Sequence, residues 1–228
     1  MESISIIIPA LNEATSLPEL LTRLEPLRLR EGCEVIVVDG GSEDGTADIA
    51  AGRCDRLVRS SRGRARQMNA GADAASGRIL WFLHADTIPP PGAVSAIRDV
   101  LAPGGAGWGR FDVRLSSRRP ILRLVAWMMN HRSRLSGIAT GDQAIFVRRD
   151  WFERCGGFPE IALMEDIELS RRLKRLGRPA CLGERVVTSS RRWESAGVWR
   201  TILLMWRLRL AYWLGADPAR LARAYRHG

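Results

Sequence analysis

Three apolar runs in this chain break off into polar or acidic clusters, and the clusters hold the side chains that could do chemistry. Asn12 and Glu13 follow the run in ISIIIPALNE. Asp39 and Asp44 sit in EVIVVDGGSEDGT, and His84 and Asp86 end RILWFLHADT. Carboxylates gathered in one crevice suit a nucleotide and a metal ion, because hard cations take oxygen ligands and bridge phosphates. Asp86 lies just past the end of an apolar strand, where an exposed carboxylate can bind such a cation. His84 is either a second ligand or a hydrogen-bond partner for a sugar. Each residue also has a plain structural use. Asp86 can cap the next turn, and Asp44 and Thr46 can cap a helix.

The convergence of these clusters depends on the elements that carry them. Each run is short and rich in β-branched or aromatic residues, and a helical pattern follows it. Buried parallel strands read this way. Ligands in open α/β sheets sit outside the carboxyl ends of such strands. After the first strand, Ser16 is placed to cap a helix whose Leu17, Leu20, Leu21, Leu24 and Leu27 share one face, and Gly32 ends it. A strand at 34–38, a helix at 46–51, a short strand at 57–58, a helix at 64–75 and a strand at 79–83 follow. The second half reads as a helix within 89–102, a strand at 109–116, a helix at 120–136, a strand at 143–149, a helix at 165–177 and a strand at 185–190. The expected fold is α/β: a Rossmann-like, mostly parallel central sheet flanked by helices. One domain is expected over 1–196, with a nucleotide-binding half at 1–86 and an acceptor half at 87–196. A C-terminal extension rich in Trp and Arg follows at 197–228.

Composition narrows the function. The net charge is +10, yet Lys174 is the sole lysine among 35 basic residues. Arginine in such excess, with much Ala and Gly, reflects a GC-rich genome as much as a polyanion site. No RNP-like or helix-turn-helix signature accompanies the charge, so nucleic acid is not an expected partner. Cys33, Cys54, Cys155 and Cys181 show no CxxC spacing, which argues for reduced thiols in a cytoplasmic protein and against zinc. No signal peptide is expected before the first strand. The missing GxGxxG and GxxxxGK[ST] motifs argue against a dinucleotide oxidoreductase and a P-loop nucleotidase. The DGGSEDG string is not an EF-hand, because Ala50 stands where the loop needs Glu.

PALNE, then VVDGGSEDGT, HAD and MEDIEL together resemble the glycosyltransferase family 2 pattern on a GT-A fold, from Ile4 to about Trp193. The resemblance implies a bacterial transferase that uses a nucleotide-diphosphate sugar, uridine-linked, and a divalent manganese or magnesium ion. It implies that Pro9, Ala10, Asn12, Glu13, Asp39 and Gly40 hold the base and ribose. It places His84, Ala85 and Asp86 where the family has its metal-binding DxD; His84 replaces the first aspartate, which leaves the metal's identity open. It implies that Glu165 and Asp166 are the catalytic pair, Asp166 acting as the base that deprotonates an acceptor hydroxyl in an inverting single displacement. Two acids opening a helix also stabilise its N-terminus, the plain alternative. In RGRARQMNAG, Arg62, Arg64 or Arg66 can meet phosphate at a helix start or simply lie in solvent; Arg64 and Asn69 are the nucleotide-site candidates, and Gly141, Asp142 and Gln143 are candidates for the donor sugar or acceptor. Arg191, Arg192 and Trp193 are similar to the end of a QxxRW motif and are candidates to clamp the diphosphate.

RQMNAG, FLHADT, TGDQ and GGF followed by MEDIEL are also similar to a narrower group of small bacterial transferases associated with radical-SAM enzymes and arsenosugar biosynthesis. This implies a small-molecule or lipid acceptor. Rival readings are a sugar nucleotidyltransferase, whose Gly-rich first loop PALNE lacks, and a vestigial, membrane-associated nucleotide-sugar binding module.

The stretch 197–214 is the most apolar helical pattern, with Trp199, Leu203, Trp206, Leu210 and Trp213 on one face. Arg200, Arg207 and Arg209 rule out a bilayer span. The helix is expected to pack in the core or in a homodimer contact. The alternative is a helix lying in the interface on the inner face of the membrane.

Overall fold

A computed structural model describes residues 2–227. The chain runs β1 (Ile4–Ala10), α1 (Leu17–Glu31), β2 (Glu34–Asp39), α2 (Thr46–Ala50), β3 (Arg56–Arg59), α3 (Arg64–Ala74) and β4 (Ile79–Phe82). It continues with β5 (Thr87–Ile88), α4 (Ala93–Val100), β6 (Trp108–Leu115), α5 (Pro120–Ser136), a 3-10 turn at Gly141–Gln143, β7 (Phe146–Arg148) and α6 (Arg149–Arg154). α7 (Glu165–Leu176), β8 (Ala180–Thr188), α8 (Arg191–Ser195), α9 (Val198–Trp213) and α10 (Pro218–His227) complete it.

The strands form one sheet in the order β3-β2-β1-β4-β7-β6-β8-β5. β3, β2, β1 and β4 are parallel, as their apolar runs predict. β7 then enters antiparallel to both β4 and β6, so the second half of the sheet is mixed. Alternation along the strands sends side chains to two cores. Ile6, Ile8, Val37 and Trp81 meet α1 and α4 on one face. Ile7, Val38, Leu80 and Phe82 meet α3, α6 and α7 on the other. Both faces of β1, β2 and β4 are therefore buried, which is why these strands read as unbroken apolar runs, while the edge strand β3 carries Arg56 and Arg59 in solvent.

Several boundaries differ from the sequence reading. Ser16 occupies the N-cap position of α1, but its side chain makes no capping bond; the Glu13 carbonyl takes the Ser16 and Leu17 amides instead. Gly32 does end α1, in the left-handed conformation. Pro89, Pro90 and Pro91 precede α4 rather than opening it, since the helix begins at Ala93. The strand expected at 143–149 shortens to β7, because 141–143 wind into the 3-10 turn. The strand expected at 185–190 begins earlier, at Ala180, where β8 first pairs with β6.

α9 packs one side only. Leu208 is buried with Met164 and Leu221, and Val198 and Ile202 lie against α5. The Trp face named from the sequence points outward instead of into the core. Among the described residues no helix is long and apolar enough to cross a membrane.

Candidate active site

The loops after β1 and β2 are stitched together. The Asn12 amide donates to Ser42 Oγ at 2.9 Å, and Asn12 Oδ1 accepts from the Glu43 amide at 2.9 Å. The Glu13 amide donates to Thr46 Oγ1 and the Ala14 amide to Asp44 Oδ2. Asp39 is buried at the end of β2, and its carboxylate accepts the amides of Gly41 and Ser42 at 3.1–3.2 Å. Gln67, on α3, is also buried. Its Nε2 donates to the Ala10 carbonyl at 2.7 Å and to the Val38 carbonyl at 2.9 Å, tying the ends of β1 and β2. A Cβ at residue 40 would stand 2.9 Å from the Gln67 amide carbon, so Gly40 is required by that staple.

At the end of β4, Asp86 points toward α8. Arg191 Nη2 lies 3.7 Å from Asp86 Oδ2 and 3.1 Å from Glu13 Oε2, so one guanidinium spans two acids from separate loops. His84 turns aside. Its Nδ1 faces Asp142 Oδ1 at 3.4 Å, and its Nε2 is buried beside Gly141 without a hydrogen-bond partner. Partial desolvation would raise the Asp142 pKa, but the His84 contact and the charges of Arg64 and Arg209 outweigh it and hold the carboxyl below its usual range.

The residues at Asp86 bear on the expected metal. Among the described residues no group of three or more His, Cys, Asp or Glu side chains is arranged to hold an ion. Magnesium and manganese at nucleotide sites are bound by one or two carboxylates plus substrate phosphates. Asp86 fits that pattern. His84 does not turn a nitrogen to Asp86, so the fit rests on the carboxylate.

α7 delivers the acidic pair. Met164 takes a left-handed backbone, φ 72°, and turns the chain into the helix. Asp166 accepts the Gly141 amide at Oδ2, 2.8 Å, and the Ile167 amide at Oδ1, 2.7 Å. Glu165 is buried, with Arg64 Nη1 3.6 Å from Oε1. Burial, joined by the Asp166 charge, pushes the Glu165 carboxyl above its usual range against the pull of Arg64. Two further arginines, neither of them a site candidate in the sequence, come near. Burial lowers the pKa of Arg209 on α9, while the charges of Asp166 and Asp142 oppose the shift. Arg132 on α5 falls to about 10 through burial and the neighbouring Arg209 charge.

Two cavities meet at Pro9, Glu13 and Arg64, and Asp166 lines neither of them. One, of about 260 Å³, is lined by Pro9, Glu13, His84, Ala85, Asp86 and Asp142, and by Arg191, Arg192 and Trp193 from the far end of the chain. The other, of about 600 Å³, lies beyond Arg64 between the β1 loop, the start of α3 and the 160–163 loop, and reaches Ala10 and Glu165. Tyr225 of α10 lines both. Its ring lies under the Arg192 guanidinium at 3.5 Å, and its carbonyl accepts from Arg192 Nη2.

Some expected ligands are used elsewhere. Asn69 donates to the Phe158 carbonyl and accepts the Phe158 amide, so both ends of its side chain pin that loop. Gln143 is buried, and its Oε1 accepts the Thr140 amide, closing the 3-10 turn. Asn12 and Asp39 shape their loops and line neither cavity. Gln67 and Tyr225 were missed. Gln67 lies inside the RQMNAG string that drew attention to its neighbours; no signal marks Tyr225.

Residues 5–153 match Glycosyl transferase family 2. The chain belongs to that family. It is 26% identical over 224 residues to the probable glycosyltransferase YdaM of Bacillus subtilis (strain 168), covering 87% of this chain and 53% of YdaM. It is 30% identical over 114 residues to the undecaprenyl-phosphate 4-deoxy-4-formamido-L-arabinose transferase of Pseudomonas aeruginosa (strain LESB58), covering 46% of this chain and 34% of that protein. The chain thus spans about half or less of these curated relatives. The mannosyltransferase PcManGT of Pyrobaculum calidifontis, solved with GDP-Man and Mn2+, superposes with a TM-score of 0.66 at 23% identity, over 97% of this chain and 68% of its own. The family 2 chain has the GT-A fold that its motifs imply.

Proposed function

We propose that this family 2 protein is an inverting glycosyltransferase. It moves a sugar from a nucleotide-diphosphate sugar, with uridine the first base to test, to a hydroxyl of a small-molecule or lipid acceptor. One observation carries the reading: Glu13, Asp86, Asp142 and Arg191 line one cavity that opens toward Arg64 and Glu165. A relative named for an undecaprenyl-phosphate acceptor and a structural neighbour solved with GDP-Man and Mn2+ support it.

In this reading the larger cavity takes the nucleoside, and the smaller one takes the diphosphate and sugar. Asp86 would hold a divalent ion, which when bound neutralises charge on the departing diphosphate. Arg191 sits beside that carboxylate and can turn its fork to the phosphates. Asp166 takes the proton of the acceptor hydroxyl. The acceptor oxygen then bonds to the anomeric carbon on the face opposite the diphosphate. The carbon–oxygen bond to the diphosphate breaks, and its electron pair leaves with the nucleotide. The two amides that hold Asp166 fix its carboxylate for this approach.

The test is Asp166→Asn, which keeps shape and removes the base. Turnover is expected to fall by about 10²–10⁴, the usual worth of a general base, while donor binding stays within experimental error. Undiminished transfer would remove Asp166 from the role.

A further inference from the structure

α9 leaves a ridge of large apolar side chains in solvent. Trp199, Leu203, Trp206, Leu210 and Trp213 follow one another at four, three, four and three residues, so they line one side of the helix. Each is between 58% and 76% exposed. Contiguous apolar surface of this kind marks a contact site. The ridge runs along a 16-residue helix, about 24 Å at 1.5 Å per residue. On one flank of it stand exposed Arg200 and Arg207. They border a groove of about 470 Å³ floored by Leu204, Leu208, Ala211 and Leu221, between α9 and α10. Exposed Arg220 and Arg223 of α10 extend the positive charge. No acidic residue lies between Glu194 and Asp217.

We propose that this face docks on the surface of an anionic lipid bilayer, with α9 lying in the plane of the interface. The chemistry matches on both counts. Tryptophan favours the level of the headgroups, and arginine reaches phosphates while its stem stays in apolar surroundings. Anionic lipid attracts each basic residue held near it. A second copy of the chain is a poorer occupant. An antiparallel two-fold contact through the ridge would gather Arg200 and Arg207 of both copies on one flank with no acid on the helix to pair them. The docking is independent of the chemistry in the cleft.

Vesicle flotation without donor or acceptor tests it. The full chain is expected to float with vesicles of phosphatidylcholine mixed with phosphatidylglycerol, and not with phosphatidylcholine alone. The triple variant Trp199→Ser, Trp206→Ser, Trp213→Ser and the pair Arg200→Glu, Arg207→Glu should each lower partitioning by about tenfold or more. Their thermal midpoints should match the parent, since the altered side chains are exposed. Failure of the parent to float with anionic vesicles would overturn the proposal. So would equal flotation by the variants, or a dimer in sedimentation that the Trp variants dissolve.

Discussion

Glu165 and Asp166 are neighbours in the chain, yet their surroundings give them different work. Asp166 is held by two backbone amides, and in the proposed reaction its free lone pairs would take the acceptor proton. Glu165 is buried beside Arg64, and burial favours its protonated form. The sign of the consequence follows from proton counting. The native carboxyl binds its proton more tightly than the unfolded one, so native protein gains protons relative to unfolded protein above the ordinary carboxylate range. Stability from this group therefore falls as pH rises from about 4.3 through the native value. Glu165→Gln should remove that dependence. Its melting temperature relative to the parent is expected to be highest at neutral pH and to drop as pH approaches 4; a difference constant with pH would contradict this. That the pair opens a helix was legible in MEDIEL, because acids in a first helical turn are visible in sequence. The partner of His84 was not. The histidine's contact with Asp142 joins residues 58 positions apart and depends on the 3-10 turn.

At the scale of elements, the first half was legible because β1, β2 and β4 are buried on both faces and stand out as apolar runs. α6 and α8 were not, since helices of six and five residues complete too little of a period to show a face. Tertiary packing decides them. The parallel half also imposes close approaches that can be tested. A Cβ at residue 71 on α3 would stand 2.4 Å from Ile7 Cγ2 and 2.9 Å from Val38 Cγ2. Gly71→Ala should cost about 1–3 kcal/mol through overpacking, read by urea denaturation. Gln67→Ala should cost about 1–3 kcal/mol, because the Val38 carbonyl loses the Gln67 amide and the Ala10 carbonyl is left with the Gly40 amide alone. It should also raise KM for the donor, since the staple holds the β1 and β2 ends in register beside the larger cavity. Lost stability with unchanged KM would confine Gln67 to the fold.

Across the whole molecule the cleft is closed by residues from both ends of the chain. Arg191 reaches Glu13 across 178 positions of sequence, and Tyr225 lines both cavities from the last helix. Such closure has no periodic signature: SSRRW marks Arg191, Arg192 and Trp193 in the sequence, whereas the place of Tyr225 came only with the structure. Arg191→Ala should weaken nucleoside-diphosphate binding by about tenfold, as expected for loss of a charge-assisted contact; unchanged affinity would leave Arg191 a salt-bridge residue only. In the proposed function the strand ends hold a nucleotide-diphosphate sugar, with a cation at Asp86. Calorimetric titration of uridine- and guanosine-diphosphate sugars, with and without manganese, tests it in the parent and in Asp86→Ala. One of these donors is expected to bind the parent, manganese to tighten the binding, and Asp86→Ala to lose the manganese effect. Absence of donor binding by the parent, or an equal manganese effect in Asp86→Ala, would contradict it.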